Sequence, residues 1–301
     1  MKVFTVTLNT ALDVVVREDD YKESRLKKAI RIPAGKGINV SRALKSNGIP
    51  STAIALVGES EVELFSSVAD DLISLHLIPV KGKTRSNITL SFCEDGKEHH
   101  TRTKGYKAGE KELDAVRDYL SENVCEGDWV IFSGSLPEGM PADAYASLIK
   151  LCKLRDAYTL LDSSKLALLR GITAGPFAIK PNREELEDIL SAKFPRDEEI
   201  LEYLRKLSDN YGIKIILTTL SEEGAILYSR DRDTVIRLDA YKPKEAVVSS
   251  VGCGDSAVAG LVYGFLNYLS FEECLKESML FANANLYTPV PGELKWGKKE
   301  S

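Results

Sequence analysis

What the chain is short of narrows its reading first. Its five cysteines (Cys93, Cys125, Cys152, Cys253 and Cys274) are odd in number and contain no C-x-x-C pair, so no disulfide framework or zinc site is indicated. A reducing, cytoplasmic compartment is the expectation. No apolar run approaches the roughly 20 residues of a membrane span, and the opening "MKVFTVTLN" lacks the apolar core and small-residue cleavage site of a signal peptide. It reads as a first strand. There is no surplus of positive charge: Lys and Arg total 40 against 45 acids, a net charge of -5, which excludes a basic footprint for nucleic acid or a polybasic membrane patch. Any anionic ligand must be caught by a local cluster. Internal repeats, low-complexity tracts and long Pro/Gly/Ser linkers are also missing. The 301 residues are therefore expected to form one domain.

What is present is a series of short β-branched runs ending in turn residues and followed by helical patterns. They are "STAIALVGE" (51–59), "DWVIFSGSLP" (128–137), "YTLLDSS" (158–164), "FAIKPNREE" (177–185) and "IKIILTTLSEEG" (213–224). Apolar runs without polar alternation suit strands buried on both faces. Helices are expected at 143–154, 166–170, 183–190 and 197–209, and this alternation predicts an α/β fold with a mostly parallel central sheet flanked by helices. Residues 14–32 and 77–103 alternate apolar with polar and carry a turn signal, "EDGK" at 94–97. They are expected to be inserted antiparallel strands forming a small β-sheet lid. The tail "KWGKKES" is expected to fray.

Chemistry concentrates in a few stretches. In "SVGCGDS", after the strand-like "EAVVSSV", Gly252 and Gly254 permit a tight turn whose N–H groups, with the helix start beyond, could cradle an anion. Asp255 would stand beside that cradle; the local alternative is an acid favoured by the helix dipole. Gly252-x-Gly254-x-x-Ala257 imitates a dinucleotide fingerprint, but the acids about 20 residues on, Glu272 and Glu273, lie inside a helical run. "KGKT" (81–84) imitates the end of a Walker A loop, with Leu77 where the first Gly is required. Both imitations fail on context.

In "AGKGINVSRAL" (34–44), Lys36 supplies a point charge and Asn39 a donor and an acceptor; an ordinary Gly turn is the plainer reading. "TLNTALD" ends a strand in Asn9 and Asp13, where α/β proteins place ligand crevices, although capping explains such residues equally well. In "KPNREEL", Asn182 with Glu185 makes a helix-capping box or orders a magnesium ion. "TLSEEGA" is a strand end and turn of the sort that lines a nucleotide.

Together and in this order, "TLNTALD", "AGKGINVSRAL", "TRSN", "SGSLPEGMP", "KPNREEL", "TLSEEG" and "VGCGDSAVAG" resemble the ribokinase-like PfkB family of carbohydrate kinases, in its phosphosugar branch of 1-phosphofructokinases and tagatose-6-phosphate kinases. The likeness runs from about residue 3 to 292. It implies a ribokinase-like α/β domain with a β lid, ATP as donor, Mg²⁺, and a homodimer formed through the lids. By resemblance, Asp255 is the catalytic base, and Gly252, Cys253 and Gly254 form the anion hole. Asp13, Gly35, Lys36, Gly37 and Asn39 bind the sugar, and Arg85 matches the arginine of branches whose acceptor already bears a phosphate. Lys180, Asn182, Thr219, Ser221 and Gly224 match ATP-binding positions, with Glu185 near the metal.

Departures from that pattern are Thr10 for Pro, Ala34 for Gly, Cys253 for Ala and Ser221 for Gly, together with the basic segment "TRTKGYKAG" (101–109). At a helix start, Cys253 is expected to have a lowered thiol pKa and to react with thiol reagents. The expected activity is phosphorylation of a sugar phosphate hydroxyl. The alternatives are kinases of a free sugar or nucleoside, or a catalytically idle sensor.

Overall fold

A computed structural model of the chain describes residues 1–17, 21–22, 25–26, 30–91, 98–193, 197–243 and 245–296. In chain order the first strands are β1 (Val3–Thr7), β2 (Ala11–Arg17), β3 (Tyr21–Lys22), β4 (Arg25–Leu26), β5 (Ile30–Ala34), β6 (Ser51–Gly58), β7 (Ile73–Val80), β8 (Arg85–Ser91) and β9 (Glu98–Arg102). Then follow β10 (Trp129–Ser133), β11 (Tyr158–Asp162), β12 (Ala178–Ile179), β13 (Ile215–Thr219), β14 (Ala225–Ser229) and β15 (Thr234–Leu238). The helices are α1 (Lys36–Lys45), α2 (Val62–Ser66), α3 (Glu110–Asn123), α4 (Ala144–Lys153), α5 (Lys165–Gly171), α6 (Arg183–Leu190), α7 (Asp197–Tyr211), α8 (Cys253–Leu266) and α9 (Phe271–Asn285).

Nine strands form the main sheet in the order β15-β14-β13-β12-β11-β10-β1-β6-β7. From β7 to β13 every pairing is parallel; β14 and β15 are antiparallel additions. The apolar runs become strands buried on both faces because their side chains alternate between two cores. Phe4, Val130, Phe132 and Leu161 pack with Leu113, Leu148 and Leu204 from α3, α4 and α7. Val3, Trp129, Ile131 and Leu160 turn the other way, onto Val40, Val258, Leu261 and Phe281 from α1, α8 and α9. Helix periodicity follows the same burial: Ile200, Leu204 and Leu207 of α7 are a buried stripe. α9 starts at a capping box in which the Ser270 hydroxyl accepts from the Glu273 N–H.

A second sheet, ordered β5-β2-β8-β9, lies beside the first, with β3 and β4 as a separate short hairpin. Three expectations change here. The lid is mixed rather than antiparallel, because β2 and β8 pair in parallel, with Asp13 opposite Asn87. Between them the chain passes through the main sheet as β6 and β7 and returns in the same direction. Residues 77–80 are the end of β7, so the lid resumes only at Arg85. Finally, "EAVVSSV" is not a strand: the described residues from 245 to 250 carry no regular structure, and Val251 lies in the turn before α8. The "EDGK" turn and the tail beyond Trp296 fall outside the described residues.

Candidate active site

Parallel strands deliver their last residues to one rim of the sheet, and the first turns of the following helices meet them there. β11 ends in Asp162, whose side chain has no solvent exposure. Lys180, just beyond β12 and 4% exposed at its side chain, places Nζ 3.1 Å from Asp162 Oδ1. Lys36, the first residue of α1, places Nζ 3.2 Å from Oδ2 and 3.3 Å from Oδ1. Burial pushes the Asp162 carboxyl up, but Lys180 and Lys36 outweigh it and hold the group below its ordinary value. On Lys36 burial acts downward, and Asp162, Asp255 and Glu185 together carry the ammonium above its usual range. Both groups are therefore charged at neutral pH. Asp162 was not among the expected site residues, yet an acid closing the apolar run "YTLLDSS" was the available signal.

The chain turns into α8 at Gly252, whose φ of 90° lies in the left-handed region that favours glycine. No side chain caps this helix; the Cys253 N–H turns back to the Ser250 carbonyl at 3.3 Å, which leaves the neighbouring Gly252 and Gly254 N–H groups as the ones a ligand could take. Gly254 lies beside Lys180: a Cβ there would meet Nζ at an ordinary contact distance of 3.6 Å. Asp255, in the first turn, is buried, and its Oδ2 accepts a 2.8 Å hydrogen bond from Asn39 Nδ2. Burial raises the Asp255 carboxyl; Lys36 opposes it, Asp162 reinforces it, Asn39 and Lys180 oppose it again, and the result is about 6. Asn39 thus commits one of its two amide N–H donors to Asp255, and the other is left for a ligand. Gly35 and Gly37 bring the start of α1 against β1, where the Gly37 N–H donates to Thr7 Oγ1 at 3.1 Å.

Cys253 corrects an expectation. Burial dominates over its place at the helix start and raises the thiol to about 11, with Asn285 opposing and Asp255 adding to the rise. The Asn182–Glu185 pair forms its capping box, each side chain accepting the other's backbone N–H at 2.8–2.9 Å. Glu185 is nevertheless near the charged cluster: burial raises its carboxyl against the pull of Asn182, Lys180 and Lys36.

The lid supplies the opposite wall. Asp13 Oδ1 accepts from Asn87 Nδ2 at 2.7 Å, and burial raises its carboxyl against Asn87, Arg42, Arg85 and Arg102. Asn87 Oδ1 is buried without a partner among the described residues. Arg85 uses Nε and Nη2 to hold the carbonyls of Thr10 and Asn9 at 3.3 Å each. Tyr106, from the unmatched basic segment, braces the same loop: its hydroxyl accepts from the Thr10 N–H at 3.1 Å and donates to the Leu56 carbonyl at 2.7 Å.

On the far side of the Gly252–Gly254 turn opens a cavity of about 1050 Å³ lined by Thr219, Ser221, Gly224, Tyr241, Cys253 and Asn283, among others. Ser221 adopts φ 53°, a left-handed value uncommon outside glycine. Asn283 Oδ1 is buried and lacks a partner among the described residues. Lys180, Asn182 and Glu185 stand outside this cavity's lining, on the charged side of the turn.

The model of the pfkB family carbohydrate kinases matches residues 7–286 of this sequence. The chain belongs to that family. It is a carbohydrate kinase, a phosphotransferase with an alcohol acceptor. Among its relatives, a 1-phosphofructokinase of Bacillus subtilis is 31% identical over 294 residues, covering 96% of this chain and 94% of the relative. A phosphofructokinase-2 mutant from Escherichia coli shares the fold at TM-score 0.86 and 24% identity, over 97% of this chain and 96% of that one. An Arabidopsis thaliana ribokinase matches at TM-score 0.73 and 18% identity, over 98% and 95%. The architecture is ribokinase-like.

Proposed function

We propose that this kinase moves the γ-phosphoryl group of ATP to a hydroxyl of a sugar that already carries a phosphate. The observation that carries this reading is a buried Asp255, held by Asn39 beside an uncapped helix start, with two lysines gathered on Asp162 next to it. Phosphoryl transfer asks mainly for alignment and charge stabilisation. Asp255, at about 6, is ionised at neutral pH and basic enough to take the hydroxyl proton as the sugar oxygen bonds to phosphorus and the bond to the departing ADP breaks. The N–H groups of Gly252 and Gly254, with Lys180 beside them, stabilise charge on the transferring phosphoryl oxygens.

The cavity fits a nucleotide on two features, its orphaned Asn283 Oδ1 and a helix start without a side-chain cap, at Cys253 and Gly254 in its lining. Thr219, Ser221 and Gly224 would line that nucleotide, with Lys180 and Asn182 toward its phosphates. Among the described residues no three His, Cys, Asp or Glu gather as a metal cage. Isolated carboxylates with phosphate oxygens suit Mg²⁺, and Glu185 is the one that could hold it, indirectly. When bound, the ion would neutralise phosphate charge. Asp13 and Asn87 offer polar atoms to sugar hydroxyls, and Arg85, with Lys36, supplies cations for the acceptor phosphate. The reading also takes the chain as one kinase unit with inserted lid strands, and the lids as its surface for homodimerisation.

The resemblance of sequence and the name of the Bacillus relative favour fructose 1-phosphate as acceptor. A coupled ADP-release assay over fructose 1-phosphate, tagatose 6-phosphate, fructose 6-phosphate and the free sugars tests it. Turnover is expected to be fastest with a phosphorylated ketohexose. Preference for a free sugar over every phosphorylated hexose removes the phosphosugar assignment.

A further inference from the structure

Asn39 and Arg42 lie three residues apart on α1, on one face of the helix. Arg42 is 8% exposed, and among the described residues its guanidinium makes two hydrogen bonds: Nη2 donates to the Pro33 carbonyl on β5 at 2.7 Å, and Nη1 donates to Asn39 Oδ1 at 3.4 Å. Asn39 Nδ2 in turn reaches Asp255. An asparagine amide has two nearly isosteric orientations, one a donor toward Asp255 and the other an acceptor facing an acceptor. A guanidinium has donors only, so the end of the amide it engages must be oxygen. We propose that Arg42 is a positioning residue which sorts the Asn39 amide, so that Nδ2 always faces Asp255. The proposal rests on the reading of Asp255 as the base.

The strand contact makes the sorter rigid. With Nη2 fixed on Pro33, Nη1 has one place to point, and the bond to Asn39 needs no search among rotamers. Asp13 and Glu293 are the acids facing Arg42. Around Asp255 stand Lys36 from α1, Asp162 from β11, Lys180 beyond β12 and Cys253 in its own turn. These partners remain when Arg42 is changed. The Asn39 bond favours the ionised carboxylate, so losing it moves the base toward the protonated form.

The test is the acid limb of kcat/KM against pH, read beside kcat, KM for ATP and melting temperature. In Arg42→Lys an ammonium can still reach Pro33 but has no second, rigid arm aimed at Asn39. The expected result is kcat down about tenfold, KM for ATP unchanged, and an acid limb displaced upward by roughly half a unit or more. Asn39→Ala should give the same displacement, and the double variant no more than either alone. Arg42→Met also loses the strand contact and should melt lower; if it does not fold, Arg42→Lys carries the test. An acid limb in Arg42→Lys that coincides with wild type, or displacements that add in the double variant, overturns the proposal. Asp255→Asn separates the two readings. If it abolishes the limb while Arg42→Lys leaves it in place, the sorter alone falls; if the limb survives in Asp255→Asn, base and sorter fall together.

Discussion

The end of β11 and the first turn of α8 each bury one aspartate within the influence of the same Lys36, and they treat it oppositely. At the strand end, Asp162 has an ammonium on each side and stays below the ordinary carboxylate range. At the helix start, Asp255 has one amide hydrogen bond, feels Asp162 as a like charge, and rises to about 6. Depth does not separate them, since both are buried. Partners do: at Asp162 two contact cations outweigh desolvation, while at Asp255 Lys36 and Lys180 without contact, with one neutral donor, do not. One aspartate is thereby a permanent anchor for lysines, the other a group that can exchange a proton near neutrality.

The largest expected effect breaks this contrast at the helix start. Asp255→Asn should lower kcat by on the order of 10²–10⁴-fold with little change in either KM, measured where chemistry limits turnover. Its effect on stability should have the other sign. Because the folded carboxyl lies above its unfolded value, the native state binds protons first, and stability falls as pH rises from about 4 to about 6. A neutral Asn removes that penalty, so the variant should melt higher than wild type at pH 7.5. Retention of more than about a tenth of wild-type kcat would show that Asp255 is not the base.

Asp162→Asn breaks the strand end. Lys180 is left buried without its counter-charge, a situation that typically costs about 3–5 kcal/mol, and melting should fall. Here the folded carboxyl is depressed, so its contribution is present above the unfolded pKa and disappears as pH drops through the folded one. The two Asn variants should therefore shift the melting temperature in opposite directions at pH 7.5. Shifts of the same sign would mean that partners do not distinguish the two sites.

Arg85→Lys sharpens the comparison by leaving both aspartates alone. A lysine cannot keep two backbone carbonyls and also grip a phosphate, so KM for the sugar phosphate should rise about tenfold, roughly 1.4 kcal/mol, with KM for ATP steady. An equal rise in both would place Arg85 outside the acceptor site. Cys253→Ala should be the quietest change, with kcat within about twofold of wild type, because the proposed ligands of the phosphoryl group are backbone N–H groups of the turn and not the thiol. A thiol raised to about 11 should also be modified slowly at pH 7.5, and rapid labelling of that cysteine by iodoacetamide would contradict the raised value.

Much of the α/β framework was legible because its signals are local. Apolar runs without alternation became the buried parallel strands, and the expected helices at 143–154, 183–190 and 197–209 formed within a few residues of those bounds. Capping boxes at Asn182 and Ser270 need only a partner three residues away. The run "EAVVSSV" failed for a related reason: β propensity describes a fit to a pleated, half-buried surface, and this segment is largely exposed and pairs with no strand among the described residues.

By itself, then, the sequence determined the strand and helix alternation, the glycine turn ahead of Asp255 and the family likeness that runs through its motifs. Only the tertiary structure decided that β2 and β8 pair in parallel, and that 77–80 belong to the main sheet. It also decided that Asp162 sits between Lys36 and Lys180, and that Asn39 faces Asp255. Lys36 is 126 residues from Asp162, and Asn39 is 216 from Asp255. Contacts over such separations leave no periodicity or spacing to read, and whether a buried aspartate is an anchor or a base depends on which distant partners the fold brings to it.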